Sequence, residues 1–89
     1  MTREMVLEAI KKERNFQDRK WGSLNIRSHE LGSWLLIMEH ELKEAKDAWT
    51  KPGYEADTDT FKEIIHVAAV AVACLEQHAP SNLQGHSVG

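Results

Sequence analysis

The stretch MEHELKEAKDAW, residues 38–49, carries Glu39, Glu41, Glu44 and Asp47 among apolar residues at helical spacing. On a helix, Glu41 and Glu44 fall on one face a turn apart. Ile37 and Ala48 share their sector, so these two carboxylates have apolar neighbours above and below, whereas His40 turns the other way. A second pair, Glu63 and His66, has the same spacing and lies on a face that continues into Val70, Ala73 and Cys74. A carboxylate and an imidazole turned into protein need partners. A divalent cation shared by Glu41, Glu44, Glu63 and His66 would satisfy all four. Three hard oxygen donors suit Mg2+ or Mn2+, and the imidazole moves the preference towards Mn2+ or another transition metal.

Each residue also has a plainer reading. Glu41 and Glu44 read as surface charges, as Glu39 and Lys43 do in an i,i+4 pair. Glu63 reads as the third residue of a capping box opened by Thr60, and His66 as a core histidine bonded to a backbone carbonyl. Two such motifs, on helices joined by a turn of suitable length, are what favour the cation over these separate readings.

Three helices must position these groups, and no segment alternates with the period of a strand. The first is expected from Thr2, as N-cap, to about Arg19. Met5, Ala9 and Phe16 lie along one side of it, but Glu13, Gln17 and Lys20 fall in the same sector, which a plain core face would not carry. WGSLNIRS then breaks the helix. The second is expected from Ser28 or His29 to Trp49, with Leu31, Trp34, Leu35, Met38, Leu42, Ala45 and Trp49 as its core stripe. Pro52 and Gly53 end it. The third is expected from Thr58 to His78. It is apolar all round from Ile64 to Leu75 apart from His66, so a second subunit is expected to cover it, as a homodimer or homotetramer. Residues 1–79 read as one all-α domain, an antiparallel helical hairpin plus an N-terminal helix that completes a four-helix-type bundle by oligomerisation. Residues 80–89 read as a mobile tail.

Composition narrows the function. A net charge of −3 over 89 residues argues against a general nucleic-acid binder. The longest apolar run is too short for a bilayer and holds a histidine, so no membrane partner is expected. Cys74 is the only cysteine and cannot close an internal disulfide. The charged N-terminal segment shows no signal peptide, and a cytoplasmic location is expected.

At the acidic residues the chain resembles the MazG-like, all-α nucleoside triphosphate pyrophosphohydrolases. That superfamily carries Glu-Glu-x-x-Glu on one helix and Glu-x-x-Asp on the next. HELKE (40–44) is similar to the first motif with His40 leading, and EIIH (63–66) to the second with His66 where Asp is usual. ERNFQDRKWG (13–22) looks like the N-terminal Glu-Arg-x-x-Gln-x-x-Lys-Trp-Gly stretch of phage and bacterial members. The resemblance spans about residues 4–78. It implies hydrolysis of the α–β bond of a nucleoside triphosphate to a monophosphate and pyrophosphate. It also implies Mg2+ (or Mn2+) held by Glu41, Glu44, Glu63 and His66, neutralising phosphate oxygens and acidifying water. Glu41 or Glu44 would orient or deprotonate that water. Lys20, with Arg14 or Lys46 as lesser candidates, would meet phosphate charge, Trp21 would stack on base or sugar, and Gln17 would face the substrate. The alternatives are a di-iron carboxylate bundle built on Glu63-x-x-His66, and a non-catalytic helical interaction module.

Overall fold

The computed structural model describes residues 1–53 and 56–83. It contains three α-helices, α1 (Arg3–Trp21), α2 (Leu31–Thr50) and α3 (Ala56–His78), then a 3-10 turn at Ser81–Leu83. There is no strand among the described residues. The 3-10 turn falls within the expected mobile tail, of which residues 84–89 lie outside the described residues.

Local chemistry sets the helix ends. Thr2 is extended, and its Oγ1 accepts the Met5 N–H at 3.2 Å. Gly22 closes α1 by donating its N–H to Asp18 O, with φ +94°, the left-handed region that favours glycine. A Cβ there would also meet Ile26 at 3.4 Å. At α2, Glu30 makes no side-chain cap bond, so the helix starts later than expected and is fixed by tertiary contact instead. Gln77 Oε1 accepts from the His29 N–H and the Trp34 Nε1–H, and Gln77 Nε2 donates to His29 O. At α3, Thr60 donates to Ala56 O inside the helix, which removes the capping-box reading of Glu63.

α2 and α3 run antiparallel, since Trp34 at the start of one meets Gln77 at the end of the other. α1 runs along α3 in the same direction: Glu13 reaches His66, and Arg14 reaches Glu76. α3 is thus the central element, packed by α2 on one side and α1 on the other. Ala69, Val70, Ala73 and Cys74 are its buried residues.

The expected core stripe of α2 is turned. Of its seven residues only Trp34, 1% exposed, and Ala45 are buried, and Met38 is half-buried. Leu31, Leu35, Leu42 and Trp49 are exposed, Trp49 by 63%. The side that meets α3 runs through Trp34, Ile37, Glu41, Ala45 and Ala48 instead. Alanines at 45 and 48 allow close approach of the helix backbones, which larger residues would prevent. The turn brings Glu41 to the middle of the packed face. Phe61 and Leu75 of the expected α3 stripe are likewise exposed, while Ile65, Ala68 and Val72 are half-buried.

The inner side of α1 is polar. Arg14 and Gln17 are its buried residues, 5% and 3% exposed, while Met5 and Phe16 face outward. Arg14 donates from Nε and Nη2 to the two Glu76 carboxylate oxygens at 3.1 and 2.9 Å, and from Nη1 to Asp18. Burial works against the Arg14 cation, but the bonds to Asp18 and Glu76 and their charge outweigh it, so its pKa is raised. This fork ties α1 to α3 and consumes Arg14, which is therefore not free to meet a phosphate.

Candidate metal centre

Three donor groups converge where the helices cross. Glu41 from α2 and Glu63 and His66 from α3 each offer a ligand atom, all within 4.8 Å of one another. All three are half-buried. His66 Nδ1 lies 3.2 Å from Glu63 Oε2, the expected contact one helical turn apart. His66 Nε2 lies 3.5 Å from Glu13 Oε1 on α1, so a third helix reaches the same imidazole. Among the described residues this is the cluster able to hold a metal ion.

Glu44 stands beside this group rather than in it. Its carboxylate is 45% exposed and lies 3.0 Å from His40 Nε2. His40 is therefore coupled to the first motif through Glu44, although it was expected to point away. Glu44, Lys51, Asp59, Lys62, Glu63 and His66 border one open groove of about 520 Å3. Lys43 pairs with Asp47 at 3.0 Å, not with Glu39.

The electrostatics favour a cation. Burial pushes the Glu41 carboxyl above its ordinary value of 4.5, the charges of Glu44 and Glu63 add to this, and His66 opposes it. A carboxylate raised in the fold stabilises the fold fully below its unfolded pKa and loses that contribution as pH rises through the folded value. Removing the Glu41 charge should therefore help the metal-free chain at neutral pH and not at acid pH. Glu41→Gln is expected to raise the metal-free melting temperature at about pH 7, with the gain vanishing below pH 4.5. Thermal melts of both proteins in chelator across that range would check it. A gain that did not shrink on acidification would contradict the strain assigned to Glu41.

Glu41 also borders a second space. A cavity of about 240 Å3 is lined by Gln17, Trp21, Arg27, Ile37, Glu41 and Val70. Gln17 and Trp21, singled out in the sequence, thus meet a member of the donor cluster. Lys20 is exposed and does not line this cavity, its Nζ lying 4.7 Å from the Trp21 ring centroid. Lys46 lies on the exposed side of α2, in a groove with Leu36, Glu39 and His40, away from the donors.

Sequence reasoning missed two residues, Arg27 and Lys62. Arg27 lies in the α1–α2 connection between Trp21 and Trp34, 5.7 and 5.5 Å from their ring centroids. Its Nε is buried with no hydrogen-bond partner, so the two indole faces are what compensate the guanidinium there. Nothing in WGSLNIRS announces this, because the second indole comes from α2. Lys62 borders the grooves on both sides of His66. Glu13 did give a signal, since it shares the polar line of α1 with Gln17.

No helix among the described residues is long and apolar enough to cross a membrane. Comparisons with protein-family models, curated proteins and solved structures give no match to the chain.

Proposed function

We propose that the chain is a metal-dependent nucleoside triphosphate pyrophosphohydrolase, converting a (d)NTP to the (d)NMP and pyrophosphate. One observation carries this reading: donors from two separate motifs, Glu41 and Glu63 with His66, converge within 4.8 Å of one another, and Glu41 among them also lines a cavity with Gln17 and Trp21. The donor set fits a divalent cation, because two hard carboxylates and an imidazole lie within a common radius and Glu41 is strained without positive charge. The MazG-like motif order adds to the reading.

Glu41, Glu63 and His66 would hold Mg2+ or Mn2+, which supplies neutralisation of phosphate oxygens and a lower water pKa. The cavity beside Glu41 would take the base, with Trp21 offering a stacking face and Gln17 both a donor and an acceptor. At about 240 Å3 it holds one ring system, so the phosphates run out past Glu41. Lys62 and Lys51 border the groove beside Glu44, Glu63 and His66, where they would meet phosphate charge, and Lys20, over the Trp21 ring, is a further cation for it. Glu44, outside the donor cluster and bonded to His40, would orient a water and take its proton. That water attacks the α-phosphorus, the bond to the bridging oxygen breaks, and pyrophosphate departs.

A homodimer or homotetramer in the cytoplasm fits the same reading, since Leu31, Leu35, Leu42 and Trp49 leave an uncovered apolar line on α2. The Glu41, Glu63 and His66 set would equally suit half of a di-iron site.

The test is a panel of nucleoside triphosphates incubated with Mg2+ or Mn2+, scored for monophosphate and pyrophosphate, with iron content measured on the same protein. Equimolar monophosphate and pyrophosphate are expected, with Mn2+ at least as effective as Mg2+ because of the imidazole. Orthophosphate release, or stoichiometric iron with no turnover, would overturn the proposal. So would an inert protein whose melting temperature ignores both ions, which is the outcome for a non-catalytic module.

A further inference from the structure

The second motif places an imidazole among carboxylates, and His66 has two ring nitrogens to offer a metal. We infer that Glu13 decides between them: its carboxylate engages His66 Nε2 and leaves Nδ1, on the Glu63 side, to the ion. The geometry is direct. Nε2 lies 3.5 Å from Glu13 Oε1, and Nδ1 lies 3.2 Å from Glu63 Oε2. The two carboxylates come from different helices and hold the ring from opposite ends. The Glu13 side chain is 19% exposed, in a groove lined by Ala9, Lys12, Lys62 and Ile65. A carboxylate on the far nitrogen of a ligating histidine fixes tautomer and ring orientation and raises ligand basicity. Glu13 also returns to the site the negative charge that an imidazole does not carry, so Glu13 and His66 together act as one anionic donor.

This inference rests on the metal-binding part of the proposed function and not on nucleotide hydrolysis. It makes Glu13 a positioning residue, and it explains why the inner face of α1 is polar at this point. A plain ion pair between α1 and α3 would use the same two residues, but it would act on folding and leave metal affinity alone.

The full chain is titrated with Mn2+ by calorimetry, as the parent, Glu13→Gln, Glu13→Ala, His66→Ala and the Glu13→Ala/His66→Ala double variant. Glu13→Ala is expected to weaken Mn2+ binding about tenfold or more. Glu13→Gln, which keeps a hydrogen-bond acceptor and loses the charge, should fall between it and the parent. The double variant should bind no more weakly than His66→Ala alone, because Glu13 acts only through the imidazole. Metal-free melts accompany each titration and separate a folding effect from a loss of affinity. Parent-like Mn2+ affinity in Glu13→Ala, or fully additive losses in the double variant, would overturn the inference while the metal site stands. A parent that binds no Mn2+ removes the metal reading and Glu13's role with it. Tight, Glu13-dependent binding without any triphosphate turnover would sink the pyrophosphohydrolase reading alone.

Discussion

Glu41→Gln is expected to abolish both the metal-induced rise in melting temperature and the turnover, while Glu44→Gln loses turnover and keeps most of the rise. The split follows from position. Glu41 lies in the α2–α3 packed face and belongs to the three-residue donor cluster, whereas Glu44 stands outside it, half exposed, bonded to His40. A ligand that binds only the folded state stabilises it by about 2.7 kcal/mol at one hundred times its dissociation constant. For a domain of this size that is a rise of roughly 10–20 °C in the parent. Glutamine at 41 removes one of two charged oxygen donors from the cluster, and the rise should disappear. Turnover falls with it, because the site then cannot gather phosphate charge, and kcat/KM should drop by about 100-fold or more, an order typical of lost electrostatic stabilisation. In Glu44→Gln the donors remain, but no carboxylate is left to take the proton of the attacking water, so kcat falls by a similar order and KM moves little. The metal-free behaviour of Glu41→Gln supplies an internal control. Its melting temperature in chelator should exceed the parent's, so the two proteins exchange order when Mn2+ is added. A Glu41→Gln protein that still gained the full metal-dependent stabilisation would remove Glu41 from the site. Undiminished turnover in Glu44→Gln would remove Glu44 from the chemistry.

The contrast between these two residues shows where the sequence was legible and where it was not. Glu41 and Glu44 form one pair in a linear reading, being one turn apart with apolar neighbours. They separate only when α2 is rotated onto α3, and that rotation is set by small residues. Ala45 and Ala48 carry little hydrophobic weight, so the pattern of large residues pointed to Leu31, Leu35, Leu42 and Trp49, which the chain leaves uncovered. The helix limits were easier, because they depend on local chemistry: the Thr2 hydroxyl, Gly22 and Pro52. Where a limit depends on a distant residue, as at His29 and Gln77, the expected start was early by two or three positions. Arg14 is the clearest case of the same cause. Nothing within its own helix signals burial, since Glu76, which makes burial tolerable, comes from α3. The candidate site was legible as far as each donor pair, because each pair lies within one turn. The contributions of Glu13 and Arg27 arise from contacts between elements and were not.

Gln77 should be among the residues whose loss costs most stability, although it takes no part in the site. Its side chain makes three bonds at the start of α2: Oε1 accepts from His29 N and Trp34 Nε1 at 3.2 and 2.8 Å, and Nε2 donates to His29 O at 2.7 Å. Trp34 is the largest fully buried side chain among the described residues, so its indole N–H has no water to turn to if Gln77 is removed. A buried donor left without an acceptor costs about 1–3 kcal/mol, and the His29 amide loses its acceptor too. Gln77→Ala should therefore cost about 2–4 kcal/mol, a large part of the roughly 5–15 kcal/mol that such a domain has. With no side-chain cap at Glu30, this clamp, together with His78 Nε2 at 2.8 Å from His29 O, holds the entry to α2. Trp34→Phe tests the argument from the other side. It keeps a ring in the core but removes the N–H, so the alanine substitution at 77 should cost less in that background than in the parent, and the difference measures the Trp34–Gln77 bond. Denaturant unfolding of the four proteins gives the cycle. Equal costs of Gln77→Ala in the two backgrounds would show that the clamp holds His29 alone and that the indole contributes by packing.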